Sequence, residues 1–385
     1  MNAGNDCKGF AIAILLILPT RAHAQNAALE LGFAYTLDLA YVADTTHALD
    51  NIDIIADLDL TRTIGWRGAR LHGHVLRNAG DQVGHTFPTA QGIDNIEVTS
   101  HRVRLFEFWL EQEWNDGASS LRAGLYDLNS EFYATESAGL FLNPAFGIGT
   151  ELAATGANGP SIFPSTALAM RYRHAFANQT SLQFAILNAD ARTWGDPGGV
   201  DLSFDDGVLY IGEAQANLAH ARLGLGAWRY SRAQPDIRDQ DMSGTPRRRT
   251  THGIYAMIDA PLWGADDDPW RGHGFLRAGI SDGDTSAFSG GWQAGLVIEH
   301  IFTRREHSAL GIGVTRAALS DKFRWNAADN GMRLSHGETI YELTYFDRIS
   351  DWLSLQPSFQ LVREPEGDPG RNDTSALLMR VVIER

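Results

Sequence analysis

Large apolar side chains alternate with small or polar ones directly after the hydrophobic N-terminal run. Leu29, Leu31, Phe33 and Tyr35 begin a series that continues at every second position as far as Tyr41. A period of two places all of these side chains on one face of a strand. The segment 29–41 is therefore predicted to be a β-strand with one apolar face.

The same alternation recurs along the rest of the chain, in sixteen segments altogether. Most segments have about 9–13 residues, which exceeds the average soluble strand and matches the length of a tilted membrane strand. The predicted strands lie near 29–41, 52–62, 69–77, 103–114, 119–127, 166–176, 181–189, 207–218, 221–230, 251–262, 273–281, 291–303, 307–317, 337–347, 352–362 and 374–384.

The connections between these segments alternate between short and long. Residues 63–68, 115–118 and 177–180 form tight turns, whereas 78–102 and 128–165 are long. Short turns on one rim and long loops on the other are typical of outer-membrane barrels, whose closure pairs every backbone group. We therefore predict an all-β fold, a transmembrane antiparallel β-barrel of sixteen strands. Both termini are then periplasmic, and 128–165 is the third and longest external loop.

Many segments carry charged side chains on the face opposite the apolar row. A soluble sheet with one solvated face gives the same local pattern, but the number of segments and the alternating loops favour a barrel with a water-filled lumen. The predicted lumen charges include Asp53, Asp57, Asp59, Arg70, His72, His74, Glu107, Glu111, Glu113, Arg171 and Arg173. Aromatic residues near strand ends suit interfacial girdles: Tyr41, Trp66, Trp114, Tyr126, Trp228, Trp263, Trp270, Trp292 and Trp352.

The N-terminus has the pattern of a secretory leader. Lys8 precedes the apolar run 10–18, and Ala22 and Ala24 flank His23 as in a small-x-small cleavage site. We expect residues 1–24 to be a signal peptide and residues 25–385 to be the barrel domain. Cleavage also removes the only cysteine of the chain, so the barrel cannot depend on disulfides or thiolate chemistry.

Composition and charge narrow the class of protein further. A hydrophobic content of 44% excludes a disordered chain. After the N-terminal run, no apolar stretch approaches the ~18 residues that a membrane helix needs. Lys and Arg number 32 against 47 Asp and Glu, and this formal net charge of −15 argues against nucleic acid as a partner.

Six segments share features with one family of outer-membrane proteins. They are 105–114 (LFEFWLEQEW), 123–132 (AGLYDLNSEF), 138–149 (AGLFLNPAFGIG), 158–161 (NGPS), 338–345 (ETIYELTY) and 352–360 (WLSLQPSFQ). Together they resemble the carbohydrate-selective porins, the OprB family of Gram-negative outer membranes. The resemblance implies a sixteen-stranded channel for passive diffusion of sugars such as glucose into the periplasm. It also implies a third loop that folds into the pore.

The chain departs from the family at both ends. The Gly-Asp-Trp-Gly-Gly segment that members often carry near the mature N-terminus is missing, and the last residue is Arg385 instead of an aromatic residue. We expect Arg385→Phe to raise the assembled fraction. The last segment still alternates, so Leu377 and Met379 are expected to face lipid, and Arg380 and Glu384 the lumen.

Acidic and basic residues concentrate in segments four to six and at the start of the third loop. A neutral sugar presents hydroxyl donors and acceptors and an apolar ring face, so a constriction needs carboxylates, guanidinium groups and an aromatic side by side. Adjacent strands stand about 4.8 Å apart, which lets these residues share one patch. For any one residue, bracing the wall and loop is as good an interpretation as lining the pore. The predicted constriction and sugar-contact residues are Glu107, Trp109, Glu111, Arg122, Asp127, Asn129, Glu131, Arg171 and Arg173.

Alternative functions and partners stay open at this point. A general diffusion porin, non-selective or differently selective, is the main alternative to a sugar channel. A barrel enzyme is less favoured, because the sequence has no motif for a nucleophile and its base. No cofactor is predicted. Small sugars are the expected solutes, and outer-membrane lipid and lipopolysaccharide the expected surroundings, with 247–249 as a basic loop tip. The choice between a monomer and a homotrimer is open.

Two candidate metal sites are not favoured by the sequence. His72 and His74 face the same way, but zinc needs further ligands that their spacing does not identify. Asp266, Asp267, Asp268, Asp282 and Asp284 lack the spacing of a calcium-binding loop. We therefore expect no metal.

Overall fold

The computed structural model describes residues 27–218, 220–264, 268, 270–302 and 304–385. The predicted signal peptide, 1–24, and the residues Asp266 and Asp267 lie outside the described residues. Within the described part of the chain, no helix is both long and apolar enough to cross a membrane.

Strands dominate the structure. They are β1 (Leu29–Val42), β2 (Thr45–Asp59), β3 (Ala69–Gly80), β4 (Arg102–Trp114), β5 (Ser119–Tyr126), β6 (Ala167–Ala175), β7 (Thr180–Asn188), β8 (Val208–Leu218), β9 (Ala221–Tyr230), β10 (Gln234–Gln240), β11 (Pro246–Arg249), β12 (His252–Trp263), β13 (Arg271–Ser281), β14 (Phe288–Glu299), β15 (Ser308–Leu319), β16 (Gly337–Ser350), β17 (Leu353–Arg363) and β18 (Thr374–Glu384). The helices are α1 (Leu60–Ile64), α2 (Thr150–Ala153) and α3 (Asp321–Asp329), with short 3₁₀ turns at Val83–His85, Leu128–Ser130, Ser137–Leu140, Pro144–Phe146 and Pro365–Gly367.

Sixteen of these strands close into one antiparallel barrel. Each pairs with its neighbours along the chain, and β1 pairs with β18 from Ala34 opposite Glu384 to Val42 opposite Ala376. β9 pairs directly with β12, because β10 and β11 form a separate hairpin within the long loop between them. The predicted sixteen-stranded antiparallel barrel is confirmed.

The largest boundary error concerns β2, which begins at Thr45 and not near residue 52. The first connection is only the two-residue turn of Ala43 and Asp44, whose φ angles of 45° and 61° suit a tight hairpin. The start of β2 places the polar residues His47 and Asn51 inward. Because these inward residues are polar, the apolar–polar alternation used to predict strands is weak here, and the start of β2 was not predicted. The β10–β11 hairpin was also not predicted.

The two faces of the barrel differ as the period of two requires. On β18, the outward residues Leu377 and Met379 are 54% and 38% exposed, whereas Leu378 and Arg380 on the inner face are each 3% exposed. This confirms the expected lipid and lumen faces of the last strand. It also shows that the lumen wall is covered by other parts of the chain.

The predicted aromatic girdles are only partly correct. Trp66, Trp114 and Trp352 are exposed near strand ends, as a girdle requires. Tyr126 and Trp228, in contrast, are 1% and 3% exposed and lie on the inner face of their strands. The girdle assignment is wrong for these two residues, because position near a strand end does not determine which face a side chain occupies.

The third external loop, 127–166, folds into the lumen and packs against the far wall. Phe141 and Phe146 stack on each other with ring centroids 4.4 Å apart, and both meet Phe275 of β13 edge-on. A glycine on the facing strand makes room for them, since a Cβ at Gly313 would lie 2.6 Å from Phe141 and 2.7 Å from Phe146. The predicted inward fold of this loop is confirmed.

Carboxylates on the wall accept hydrogen bonds from the backbone of this loop. Glu342 of β16 accepts from the N–H groups of Leu142 and Asn143, at 2.8 and 2.9 Å. Asp259 of β12 accepts from the N–H group of Ser137 at 2.8 Å. These loop residues are buried against the wall, so wall carboxylates satisfy their amides in place of water.

Arg277 of β13 provides the matching donors for the loop carbonyl groups. Its Nη1 donates to the carbonyl oxygens of Tyr133 and Gly147 at 2.9 Å each. Its Nη2 donates to those of Ala145 at 3.0 Å and Phe146 at 2.6 Å. One fully buried guanidinium therefore joins two separate parts of the loop to the wall.

Candidate functional site

Three neighbouring strands place a charged row on the inner wall. Glu111 of β4 lies directly opposite Arg122 of β5, and Arg122 lies opposite Arg171 of β6. The third loop brings Glu131, which follows a 3₁₀ turn, against this row. We call Glu111, Arg122, Glu131 and Arg171 the charged patch.

Close ion pairs connect all four members of the charged patch. Arg171 contacts Glu131 through Nε at 2.7 Å and Nη2 at 2.9 Å, and it reaches Glu111 Oε1 through Nη2 at 2.8 Å. Arg122 Nη2 lies 3.0 Å from Glu111 Oε2 and 3.7 Å from Glu131 Oε1. Each carboxylate thus lies between two guanidinium groups, and the formal charges cancel within the patch.

The side chains of the charged patch differ in how far they are exposed to the lumen. The Arg171 side chain is 1% exposed and that of Glu111 is 8% exposed, so both serve mainly to hold the others. The side chains of Glu131 and Arg122 are 19% and 12% exposed. These two, one an acceptor and the other a donor, are the more accessible members of the patch.

Two hydroxyl groups that the sequence prediction missed complete the patch. Tyr126 donates its hydroxyl to Glu131 Oε2 at 2.5 Å. Ser120 Oγ accepts from Arg171 Nη1 at 2.6 Å. Both residues lie on the inner face of β5 in the same alternation as Arg122. That alternation was the signal that could have identified them.

Trp109 is covered on both faces. His72, its cross-strand neighbour on β3, stacks on the ring at 4.6 Å, and the Arg122 guanidinium lies 3.7 Å from its centroid on the β5 side. The indole N–H donates to Glu107 at 3.2 Å, and the side chain is 5% exposed. No ring face is left for a sugar, so the predicted stacking contact is not available in this arrangement. Trp109 instead supports Arg122.

Three other predicted residues brace the start of the third loop. Glu107 Oε1 accepts from the backbone N–H of Asp127 at 3.0 Å. Asp127 Oδ1 accepts from the N–H of Asn129 at 2.9 Å and so caps the 3₁₀ turn that follows. Asn129 Nδ2 donates to the carbonyl oxygens of Phe132 and Gly147 at 3.2 and 3.1 Å. Of the two interpretations left open by the sequence, their contacts favour bracing.

Arg173 stands apart from the other predicted residues. Its side chain is exposed on β6, and no ion pair to it is found within the described part of the chain. In register it lies opposite Ser120 and Gln183 and not opposite a carboxylate. It is therefore the one predicted residue that the structure does not bring into contact with the rest.

Comparison with known proteins identifies the fold and the family. The family model described as carbohydrate-selective porin, OprB family, matches residues 44–383. The chain belongs to this family. It is a porin of the Gram-negative outer membrane. Porin B of Pseudomonas aeruginosa is 23% identical over 357 residues, which cover 83% of this chain and 77% of that protein.

Solved porin structures share the fold of this porin. The high-pH structure of Pseudomonas putida OprB superposes with a TM-score of 0.81 at 18% identity, covering 93% of this chain and 94% of that chain. The low-pH structure of the same protein gives 0.59 at 16% identity, covering 93% of each chain. An anion-selective porin from Comamonas acidovorans gives 0.55 at 11% identity, covering 93% and 99%.

A second ionic cluster of this porin was not predicted from the sequence. Arg380 of β18 makes contacts of 2.9 and 2.5 Å with Asp38 of β1 and donates to Asn95 at 2.6 Å. Asp94 lies 3.5 Å from the same guanidinium. The lumen face of Arg380 follows from the alternation on β18. Its partners do not, because they come from the other end of the chain and from the second loop.

Proposed function

We propose that glucose-sized sugars pass this porin alongside the charged patch and that the patch forms the constriction. The observation that carries the proposal is the group of alternating charges between wall and loop, in which Arg122 and Glu131 are partly exposed. The porin family to which the chain belongs is carbohydrate-selective. The proposal assigns that selectivity to particular residues.

The chemistry of the patch suits a neutral solute. A sugar hydroxyl can donate to the Glu131 carboxylate and accept from the Arg122 guanidinium at the same time. The charges balance within the patch, so it attracts neither sign of ion strongly. Both exposed groups are already paired, which keeps each sugar contact weak enough for the solute to leave.

Conductance of the purified porin in a planar bilayer tests the assignment. Glu131→Ala and Arg171→Ala each leave charged partners without their counter-ion, which should loosen the loop and widen the opening. Both variants should raise ion conductance and weaken the current block by glucose, and deletion of 135–145 should do so more strongly. Arg363→Ala is the matched control, because Arg363 pairs with Asp373 on the exterior.

Two results would decide against parts of the proposal. Wild-type conductance and glucose block in all three variants would mean that the constriction lies elsewhere in the lumen. Ion conductance in the wild-type protein without any block by sugar would favour the alternative, a general diffusion porin.

We further propose three properties of the assembled protein. Export removes residues 1–24, which mass spectrometry of the purified porin tests. The exposed β11 residues Arg247 and Arg248 contact lipopolysaccharide phosphates, and substitution of both by Gln should then weaken binding to lipid A vesicles. The barrel assembles as a homotrimer, which cross-linking in mild detergent distinguishes from a monomer.

A further inference from the structure

Two histidines and a glutamate converge on the lumen wall beside the charged patch. His72 and His74 lie two residues apart on the inner face of β3, and Glu107 lies opposite His74 on β4. One ligand atom from each of the three residues lies within 4.8 Å of the other two. His72 Nε2 and Glu107 Oε2 are 3.7 Å apart. Pairing of β3 with β4 thus supplies the third ligand that the spacing of the histidines left unidentified.

Neighbouring carboxylates orient both imidazole rings. Asp57 Oδ1 lies 3.0 Å from His72 Nδ1, and Asp53 Oδ1 lies 2.8 Å from His74 Nε2. A carboxylate that accepts one ring N–H fixes the tautomer and leaves the other nitrogen basic, as is usual for histidines that bind metals. On His72 this leaves Nε2 directed at Glu107.

One of the atoms that would meet a metal is left without a hydrogen-bond partner. His72 Nε2 is buried and has no hydrogen-bond partner among the described residues. Glu107 Oε1 is occupied by the Trp109 indole N–H and the Asp127 backbone N–H, whereas Oε2 faces His72. His72 Nε2 is therefore poorly satisfied, although Glu107 Oε2 faces it at 3.7 Å. A cation between them would satisfy both.

We propose that His72, His74 and Glu107 bind a divalent transition-metal ion of the zinc class. Two imidazole nitrogens and one carboxylate oxygen are a common zinc ligand set, and imidazole disfavours calcium and magnesium. Ligand atoms around tetrahedral zinc stand roughly 3.3 Å apart, so His72 and Glu107 need to approach by a few tenths of an ångström, and His74, whose ligand atom lies within 4.8 Å of theirs, by up to about 1.5 Å. The Asp57 side chain beside the site is partly exposed, so the site is accessible from the lumen. A water molecule or a solute takes the fourth coordination position of the metal.

Zinc titration of the folded porin in detergent, followed by calorimetry, tests the site. We expect one site in the wild-type protein and at least roughly tenfold weaker binding in His72→Gln and Glu107→Gln. Asp57→Asn, which changes only the residue that orients His72, should weaken binding about 10–100-fold. His85→Ala is the control, because His85 is exposed in the second external loop and should leave the affinity unchanged.

A second readout does not depend on transport. Zinc should raise the unfolding temperature of the wild-type porin, because it binds the folded barrel, and it should not do so for Glu107→Gln. The amide oxygen introduced by Glu107→Gln can still accept from Trp109 and Asp127. If that variant nevertheless fails to fold, zinc binding by the Asp57→Asn variant tests the site. Absence of zinc binding in the wild type would overturn the proposal. So would equal affinity in Asp57→Asn, Glu107→Gln and the wild type, since the histidine pair alone would then explain the binding.

Discussion

Removal of Arg277 should release the third loop from the wall of the porin. The guanidinium is fully buried and donates to four loop carbonyl groups, those of Tyr133, Ala145, Phe146 and Gly147. A hydrogen bond to a charged group contributes about 1.5–3 kcal/mol, so four bonds correspond to about 6 kcal/mol at the lower limit. Arg277→Ala therefore weakens the docking of the loop by several kcal/mol.

Hydrogen exchange of the amides in 133–147 measures this docking directly. Each step of about 1.4 kcal/mol changes the opening equilibrium about tenfold, so loss of about 4 kcal/mol or more should accelerate exchange at least roughly 10³-fold. Arg277→Lys should show a smaller effect, because an ammonium keeps up to three donors but lacks the planar fork of Arg. Single-channel conductance should rise in parallel as the loop leaves the lumen.

The control for this experiment is Arg316→Ala on β15. Arg316 donates to Thr339 on the neighbouring strand and not to the third loop. Exchange in 133–147 should stay at the wild-type rate in this variant. If Arg277→Ala changes exchange of the same amides by less than about threefold, the four hydrogen bonds do not hold the loop and the reasoning is refuted.

Two further predictions concern the other ionic clusters. Burial alone would raise the pKa of Asp236, but Lys322 and neighbouring N–H groups lower the pKa to about 2. A lowered pKa stabilises the folded contact above the ordinary pKa of about 4, and this contribution is lost as the pH falls from about 4 to 2. Proteolysis of the loop 231–251 should therefore accelerate in that range, and Lys322→Met should weaken the pH dependence, because one of the groups that lower the pKa of Asp236 is removed. In the lumen, Asp38→Asn or Arg380→Met alone should lower the free energy of unfolding by about 3–5 kcal/mol, because the partner stays buried without its counter-ion. The double variant should cost less than the two single variants together, and strict additivity in denaturant unfolding would contradict the coupling.

Local alternation in the sequence determined the strands and their faces. A side-chain period of two is a property of the backbone itself, so it can be read wherever one face is apolar. It placed Glu111, Arg122 and Arg171 on the lumen side, and it placed Arg380 there as well. It failed at the start of β2, where polar residues face inward. At Tyr126 the alternation gives the inner face, and the error came from assigning an aromatic residue near a strand end to the girdle.

Only the closed barrel decided which of these residues meet. Glu131 reaches Arg171 across 40 positions, and Glu342 reaches the backbone of Leu142 across 200. The register of β3, β4 and β5 covers both faces of Trp109 and brings Glu107 to His72. Pairing across such distances depends on strand register and on how the third loop fills the lumen. Neither leaves a period in the sequence, because the contacting groups belong to segments that become neighbours only when the strands pair and the third loop folds inward.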